Sequence, residues 1–329
     1  MLSRRTQIAR LRRVALAALA HYPLPEGTLR FVTHGENTTF RHQSHAGTYL
    51  VRVHRPQRHG KDADSRAAVR SEIDWLTAIR AHTDLEVPEA LAAADGATTV
   101  VASAAAETRV VSVLRWMDGR IFEESPSPVH LRRLGEAMAR LHAQADGWTP
   151  PPGFTRIDWT HETFFGDVMI YGGVPAARCW SLFPAALRAR FESLAHRLDG
   201  VLAAESDRGL IHADLHLGNA VFEADRVKLI DFDDCGTGHR LYDVAVALWE
   251  LRDRPDYPRF LQAMLDGYRS VRALDVTRLD DFIALRQFAF QIWYTGTAQA
   301  NPQFTAGLAE VERWSLAMLD LVEHAGGDA

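Results

Sequence analysis

Two short runs hold the residues best suited to chemistry. Leu210-Ile211-His212-Ala213-Asp214-Leu215-His216-Leu217-Gly218-Asn219 is followed by Leu229-Ile230-Asp231-Phe232-Asp233-Asp234. Apolar pairs lead into each run, so the polar side chains are expected at loop edges beside short strands. That places Asp214 and Asn219 on one loop and Asp231 at the end of the strand that pairs back beside it. An Asp and an Asn converging with a second Asp make an oxygen-only site. Hard Mg2+ takes such ligands, completed by water and phosphate oxygens. Asp214 would then be free to orient a hydroxyl for attack. The competing reading is a polar loop that caps two helices.

Such loops need a frame, and the pattern of the chain supplies one. Thr6–His21 reads as a first helix, broken by Pro23 and Pro25. Leu29–Thr33, Thr39–His42 and Thr48–Val53 are short and rich in β-branched and aromatic residues, with Gly35-Glu36-Asn37 and Ala46-Gly47 between them, which predicts three strands. A helix is expected from Ala63 to His82, with Val69, Ile73, Leu76 and Ile79 on one face. Two further strands are expected at Thr98–Ala102 and Arg109–Trp116. From Val129 the periodicity turns helical, over Val129–Ala145, Leu182–Ala204, Arg240–Arg252, Arg259–Ser270, Leu279–Ala300 and Thr305–Glu323. A strand pair, Ala220–Phe222 and Val227–Ile230, interrupts the helices. The order predicts an α+β fold in two lobes. Residues 1–115 hold the leading helix, a sheet and its packed helix; residues 116–329 hold the helical lobe with both chemical loops. Asp118-Gly119 sits at the joint.

His-x-Asp-x-x-x-x-Asn followed by Ile-Asp-Phe-Asp resembles the catalytic and metal loops of aminoglycoside phosphotransferases, choline kinases and type-II homoserine kinases. The run Ile230–Asp234 is most similar to the group containing stress-response kinase A. The resemblance implies a protein-kinase-like fold, with a small antiparallel sheet lobe on a larger helical lobe, and ATP and Mg2+ as cofactors. It implies Asp214 as catalytic base and Asn219 and Asp231 as metal ligands. His212 would brace the loop, and Asp243 would tie it down from the following helix. His216 would touch the loop backbone or line the phosphate site. In the first lobe, Gly35 and Asn37 would cover the nucleotide phosphates. Arg52 stands where protein kinases place Lys; paired with Glu72, it would grip the α/β-phosphates. The backbone of Arg115 and Met117, under Leu114, would meet adenine. The chain departs from protein kinases in having no Gly after Asp231-Phe232 and no Ala-Pro-Glu segment, so switching by activation-loop phosphorylation is not expected.

The 329 residues carry a net charge of −5, which argues against a general nucleic-acid binder. Two cysteines, Cys179 and Cys235, form no disulfide framework or metal spacing, and a reducing cytoplasm is the expectation. No membrane association is expected, since the apolar run Val14–Ala20 is far shorter than the ~20 residues a span requires. The five arginines before Glu26 fit either a first helix or an acid-poor transit segment. The partners expected are ATP and a hydroxyl-bearing acceptor. Asp233, Asp234, Glu250, Trp249, Trp293 and Tyr294 are candidates for the acceptor pocket, because carboxylates and aromatic faces suit a cationic compound. The same aromatics could be core residues of amphipathic helices. Three functions compete: a small-molecule kinase acting on an amino alcohol, aminoglycoside or amino acid; a protein Ser/Thr kinase of the stress-response kinase A type; and a nucleotide-binding pseudokinase scaffold.

Overall fold

The structure is a computed structural model that describes residues 3–56, 65–166, 169–171, 174–204 and 206–325. The predicted helix start at Ala63 lies outside the described residues. Helix α1 (Arg4–Leu19) is capped by Ser3, whose hydroxyl accepts the Thr6 N–H. It is followed by β1 (Thr28–His34), β2 (Thr38–Ser44), β3 (Gly47–Val53), α2 (Ser65–His82), β4 (Val100–Ala104) and β5 (Glu107–Arg115). The five strands form one antiparallel sheet in the order β1-β2-β3-β5-β4. Strand side chains alternate between faces, and β3 shows what this does. Tyr49, Val51 and Val53 are buried in a small core with Phe40, Val113 and the Val14, Ala15 and Ala18 stripe of α1. Leu50 and Arg52 point the other way, into the cleft between the lobes.

The helical lobe begins with α3 (Pro128–Asp146), then β6 (Ile157–Asp158), α4 (His161–Phe165), β7 (Ile170–Tyr171), β8 (Val174–Pro175), α5 (Ala176–Ser181) and α6 (Ala185–Leu198). After these come β9 (Arg208–Ile211), β10 (Ala220–Glu223), β11 (Arg226–Leu229), β12 (Gly236–His239), α7 (Arg240–Trp249), α8 (Tyr257–Arg269), α9 (Leu279–Ala300) and α10 (Leu308–Ala325). A large apolar core joins them, and Trp75, Leu76 and Ile79 of α2 belong to it. One helix of the sheet lobe is thereby anchored to the floor of the other. The joint itself depends on Gly119, which has φ +146°; a Cβ there would lie 2.5 Å from Val221 Cγ1 and 2.7 Å from the Phe222 carbonyl oxygen.

Two expectations are corrected. Leu182–Ala204 is not one helix: Pro184 has no N–H to continue α5, so α6 starts after it and stops at Leu198, before Gly200 at φ +75°. Thr305 lies in a 3-10 turn, Pro302–Gly307, and α10 starts only at Leu308. No helix among the described residues is long and apolar enough to cross a membrane.

Candidate active site

The two chemical loops meet under the sheet. Strand β9 ends at Ile211 and the chain turns through Ala213, whose φ is +66°. A non-glycine residue in the left-handed region costs roughly 1–2 kcal/mol, so other contacts must hold it. Asp243, in the first turn of α7, accepts the N–H of His212 at 2.8 Å and of Ala213 at 2.6 Å. His142 Nε2 donates a third bond to it at 3.0 Å, and both side chains are fully buried. Burial alone would raise the Asp243 carboxyl, but the hydrogen bonds it accepts from His142 and from the His212 N–H hold it below the usual range. Burial pushes the His142 imidazole below its ordinary value, and its Nδ1 lies 2.8 Å from Tyr268 Oη. The neighbouring His212 donates through Nε2 to the Ile230 carbonyl at 2.9 Å and packs on Phe232.

Asp214 is held through both carboxylate oxygens. Asn219 Nδ2 donates to its Oδ2 at 3.0 Å and to its backbone carbonyl at 2.8 Å, while Arg286 Nη2 donates to Oδ1 at 2.6 Å. The Asn219 carbonyl in turn accepts the Ile230 N–H at 3.0 Å, which ties the Asp214 loop to the Asp231 strand. With Nδ2 spent on Asp214, Asn219 has Oδ1 left as its side-chain acceptor. Asp231 is also left-handed, at φ +61°, and 54% of its side chain stays open. Enclosure in the cleft raises its carboxyl, Arg52 opposes this, and Asp214 and Glu72 add like charge. Such a carboxylate gains from a nearby cation.

From the sheet, Arg52 reaches down to the same place. Its Nη2 bonds Glu72 Oε1 at 2.6 Å, and its Nη1 lies 3.4 Å from Asp231 Oδ1 and 3.7 Å from Asp233 Oδ1. Burial would lower the guanidinium, but Glu72 and Asp231 together raise it above its ordinary value. The turn between β1 and β2 is tethered as well. Asn37 Oδ1 accepts the Arg55 N–H at 3.1 Å, and Glu36 accepts Trp293 Nε1 at 2.8 Å and pairs with the Arg55 guanidinium.

Gly35, Asn37, Arg52, Arg115 and Met117 line a single cavity of about 730 Å3 together with Asp214, Asn219 and Asp231. Glu72 stands behind Arg52. The Arg115 N–H is spent on the Glu89 carbonyl at 2.8 Å, so a base meeting this backbone would use the Arg115 carbonyl instead. Asp233, Asp234, Trp249, Glu250 and Trp293 line the same cavity. Asp233 and Asp234 have protein cations beside them already, since Arg55 Nη2 lies 3.1 Å from Asp233 and 3.6 Å from Asp234. Tyr294 is the exception. Adjacent residues on a helix point about 100° apart, and Tyr294 turns from the cavity to pack on Phe304 and Gly307.

Sequence reasoning missed Arg55, Arg286 and Glu123. His216 Nδ1 lies 2.9 Å from Glu123 Oε1 and its Nε2 3.8 Å from Asp214 Oδ2, at the boundary between the main cavity and a smaller one of about 320 Å3. Burial would lower His216, but Glu123 and Asp214 raise it. No local motif announces any of the three missed residues. Arg286 stands out only as the one cation in the sequence of α9.

The profile of a phosphotransferase enzyme family matches residues 28–279. A homoserine kinase of Brucella abortus is 27% identical over 283 residues, covering 83% of this chain and 79% of its own. The structure of a microcompartment-associated aminopropanol kinase superposes with a TM-score of 0.77 at 27% identity, covering 95% of this chain and 96% of that one. An amicoumacin kinase in complex with AMP-PNP, Ca2+ and Ami shares the fold, with a TM-score of 0.73, 20% identity and coverage of 97% and 94%. With its sheet lobe, its helical lobe and a profile match over most of its length, the chain belongs to the phosphotransferase enzyme family and is an enzyme that phosphorylates a hydroxyl group.

Proposed function

We propose that this enzyme moves the γ-phosphoryl of ATP to a hydroxyl of a small molecule: an amino alcohol, an aminoglycoside or an amino acid. The observation that carries this reading is the lining of one cavity, which holds Trp249, Glu250 and Trp293 together with Asp214 and Arg52. A concave site of this volume, within the ~300–1,000 Å3 typical of small-ligand pockets, suits a nucleotide beside a compact acceptor. The kinases named above act on small hydroxyl compounds, which supports the same acceptor class here.

In this reading Arg52, held by Glu72, grips the α/β-phosphates, and the Gly35–Asn37 turn covers them. Asn219 and Asp231 fit a hard divalent cation, because the donors they offer are an amide oxygen and an open carboxylate. Mg2+ bound there would neutralise charge on the phosphate oxygens. Asp214 orients the acceptor hydroxyl and takes its proton. The new oxygen–phosphorus bond forms as the bond from the γ-phosphorus to the bridging oxygen breaks, and ADP leaves.

A screen of homoserine, 1-amino-2-propanol, ethanolamine and aminoglycosides with γ-labelled ATP, run beside an autophosphorylation control, tests the proposal. Label on a small acceptor is expected. Label on protein alone would favour the protein-kinase reading suggested by Ile230–Asp234, and nucleotide binding without turnover would favour the scaffold.

A further inference from the structure

We infer that Arg286, on α9, is a positioning residue for the transfer step: it fixes the Asp214 carboxylate in the orientation that meets the acceptor hydroxyl. This rests on the reading of Asp214 given above. An Asp side chain turns through a broad, roughly two-fold torsion at its carboxylate, so one anchor leaves the group free to rock. Here the anchors sit on opposite oxygens, Arg286 Nη2 on Oδ1 at 2.6 Å and Asn219 Nδ2 on Oδ2 at 3.0 Å. Each oxygen keeps a further lone pair for a hydroxyl.

Arg286 is itself built into place. Its guanidinium carbon lies 5.1 Å from the Trp249 ring centroid. That indole is fixed by the next residue of the helix, since Trp249 Nε1 donates to Gln287 Oε1 at 2.7 Å. Gln287 Nε2 then donates to Ser315 Oγ on α10 at 2.8 Å. Tyr242 lines the same cavity as Arg286, and burial pushes its phenol up to about 12 against the pull of the Arg286 charge. The Arg286 side chain keeps only 16% of its surface open. A guanidinium so largely withdrawn from water is costly unless its charge is used, and the carboxylate it reaches is Asp214.

The test compares Arg286→Gln, Arg286→Lys and Asp214→Ala, with kcat, KM, nucleotide affinity by calorimetry and melting temperature measured on each. Arg286→Gln is expected to lower kcat by about 10²-fold, the scale of a small misplacement of a reacting group, with nucleotide affinity unchanged. Arg286→Lys, which keeps a buried charge beside Asp214, is expected to recover part of the loss. In the Asp214→Ala background Arg286→Gln should cost nothing more, because the two act as one unit. A crystal structure of Arg286→Gln should show the Asp214 carboxylate rotated off Asn219. Wild-type kcat in Arg286→Gln would overturn the inference. So would the same fold-loss in both backgrounds, an unmoved carboxylate, or a lysine variant no better than glutamine. Should the glutamine variant not fold, Arg286→Lys decides: it must lose kcat at unchanged nucleotide affinity, and full activity overturns the inference. If Asp214→Ala is inactive while Arg286→Gln is fully active, only the role of Arg286 fails. If Asp214→Ala keeps its turnover, the reading of Asp214 fails with it.

Discussion

The cleft has an ion pair in each wall, and the two differ in one respect. Arg52–Glu72 in the sheet lobe and Arg286–Asp214 in the helical lobe are each closed at 2.6 Å. In the first pair both side chains are sealed, at 5% and 1% exposure, whereas Asp214 in the second keeps 25% open. A sealed pair is a strut: its net stabilisation is small after desolvation, but losing one partner leaves a buried charge. A pair with one open end positions a group for use. The sheet wall thus holds a cation still, and the helical wall holds an anion where a substrate can reach it.

The largest effect should come from the group between the walls. Asp231→Asn is expected to abolish transfer and remove the Mg2+ dependence of ATP binding, with metal-free nucleotide affinity nearly unchanged. Calorimetry with and without Mg2+ reads this directly, and an unaltered Mg2+ dependence would remove Asp231 from the metal site. Next comes the strut. Arg52→Ala should lower kcat/KM for ATP by about 10²-fold, the scale of losing one preorganised charge donor, and Glu72→Ala by less. Their losses should not add, because Glu72 acts through Arg52. A double-mutant cycle with full additivity would show two independent residues instead of a pair.

The smallest effect concerns a third pair, which can titrate where the guanidinium pairs cannot. His142 beside Asp243 has its folded pKa below the ordinary 6.5. The unfolded chain therefore takes up a proton below that pH while the folded chain does not. Its contribution to stability is complete above 6.5 and declines as pH falls below it, by about 1.4 kcal/mol per unit of separation. The depressed Asp243 adds its own loss only below 3.8. Denaturation midpoints should fall from pH 7.5 to 5.5, and His142→Gln should flatten that slope. An equally steep slope in the variant would assign the effect to other groups.

How much of this was legible in the sequence follows from chain distance. Leu279–Ala300 is a helix over the predicted residues, because its length and pattern specify it alone. Arg52 and Glu72, 20 residues apart, are legible through the resemblance, which implies a cation on the third strand and its partner on the packed helix. Arg286 lies 72 residues after Asp214, and only the packing of α7 against α9 brings it to the loop. Strands β6, β9 and β12, of two to four residues, are too short to carry a period. Their sheet forms because the two sides of the catalytic loop are already neighbours. Residue type makes Tyr294 as good a pocket candidate as Trp293, but the helix turns the two side chains apart.

The central claim is that Asp214 acts on the acceptor hydroxyl and has no part in holding nucleotide. The most direct measurement takes melting temperature, ATP affinity and turnover from one preparation of Asp214→Ala. The account predicts ATP affinity and melting temperature close to wild type, with kcat and kcat/KM lowered together by at least about 10²-fold, the lower bound for general-base help. Wild-type turnover on the true acceptor, or activity lost only in step with the melting temperature, would contradict it.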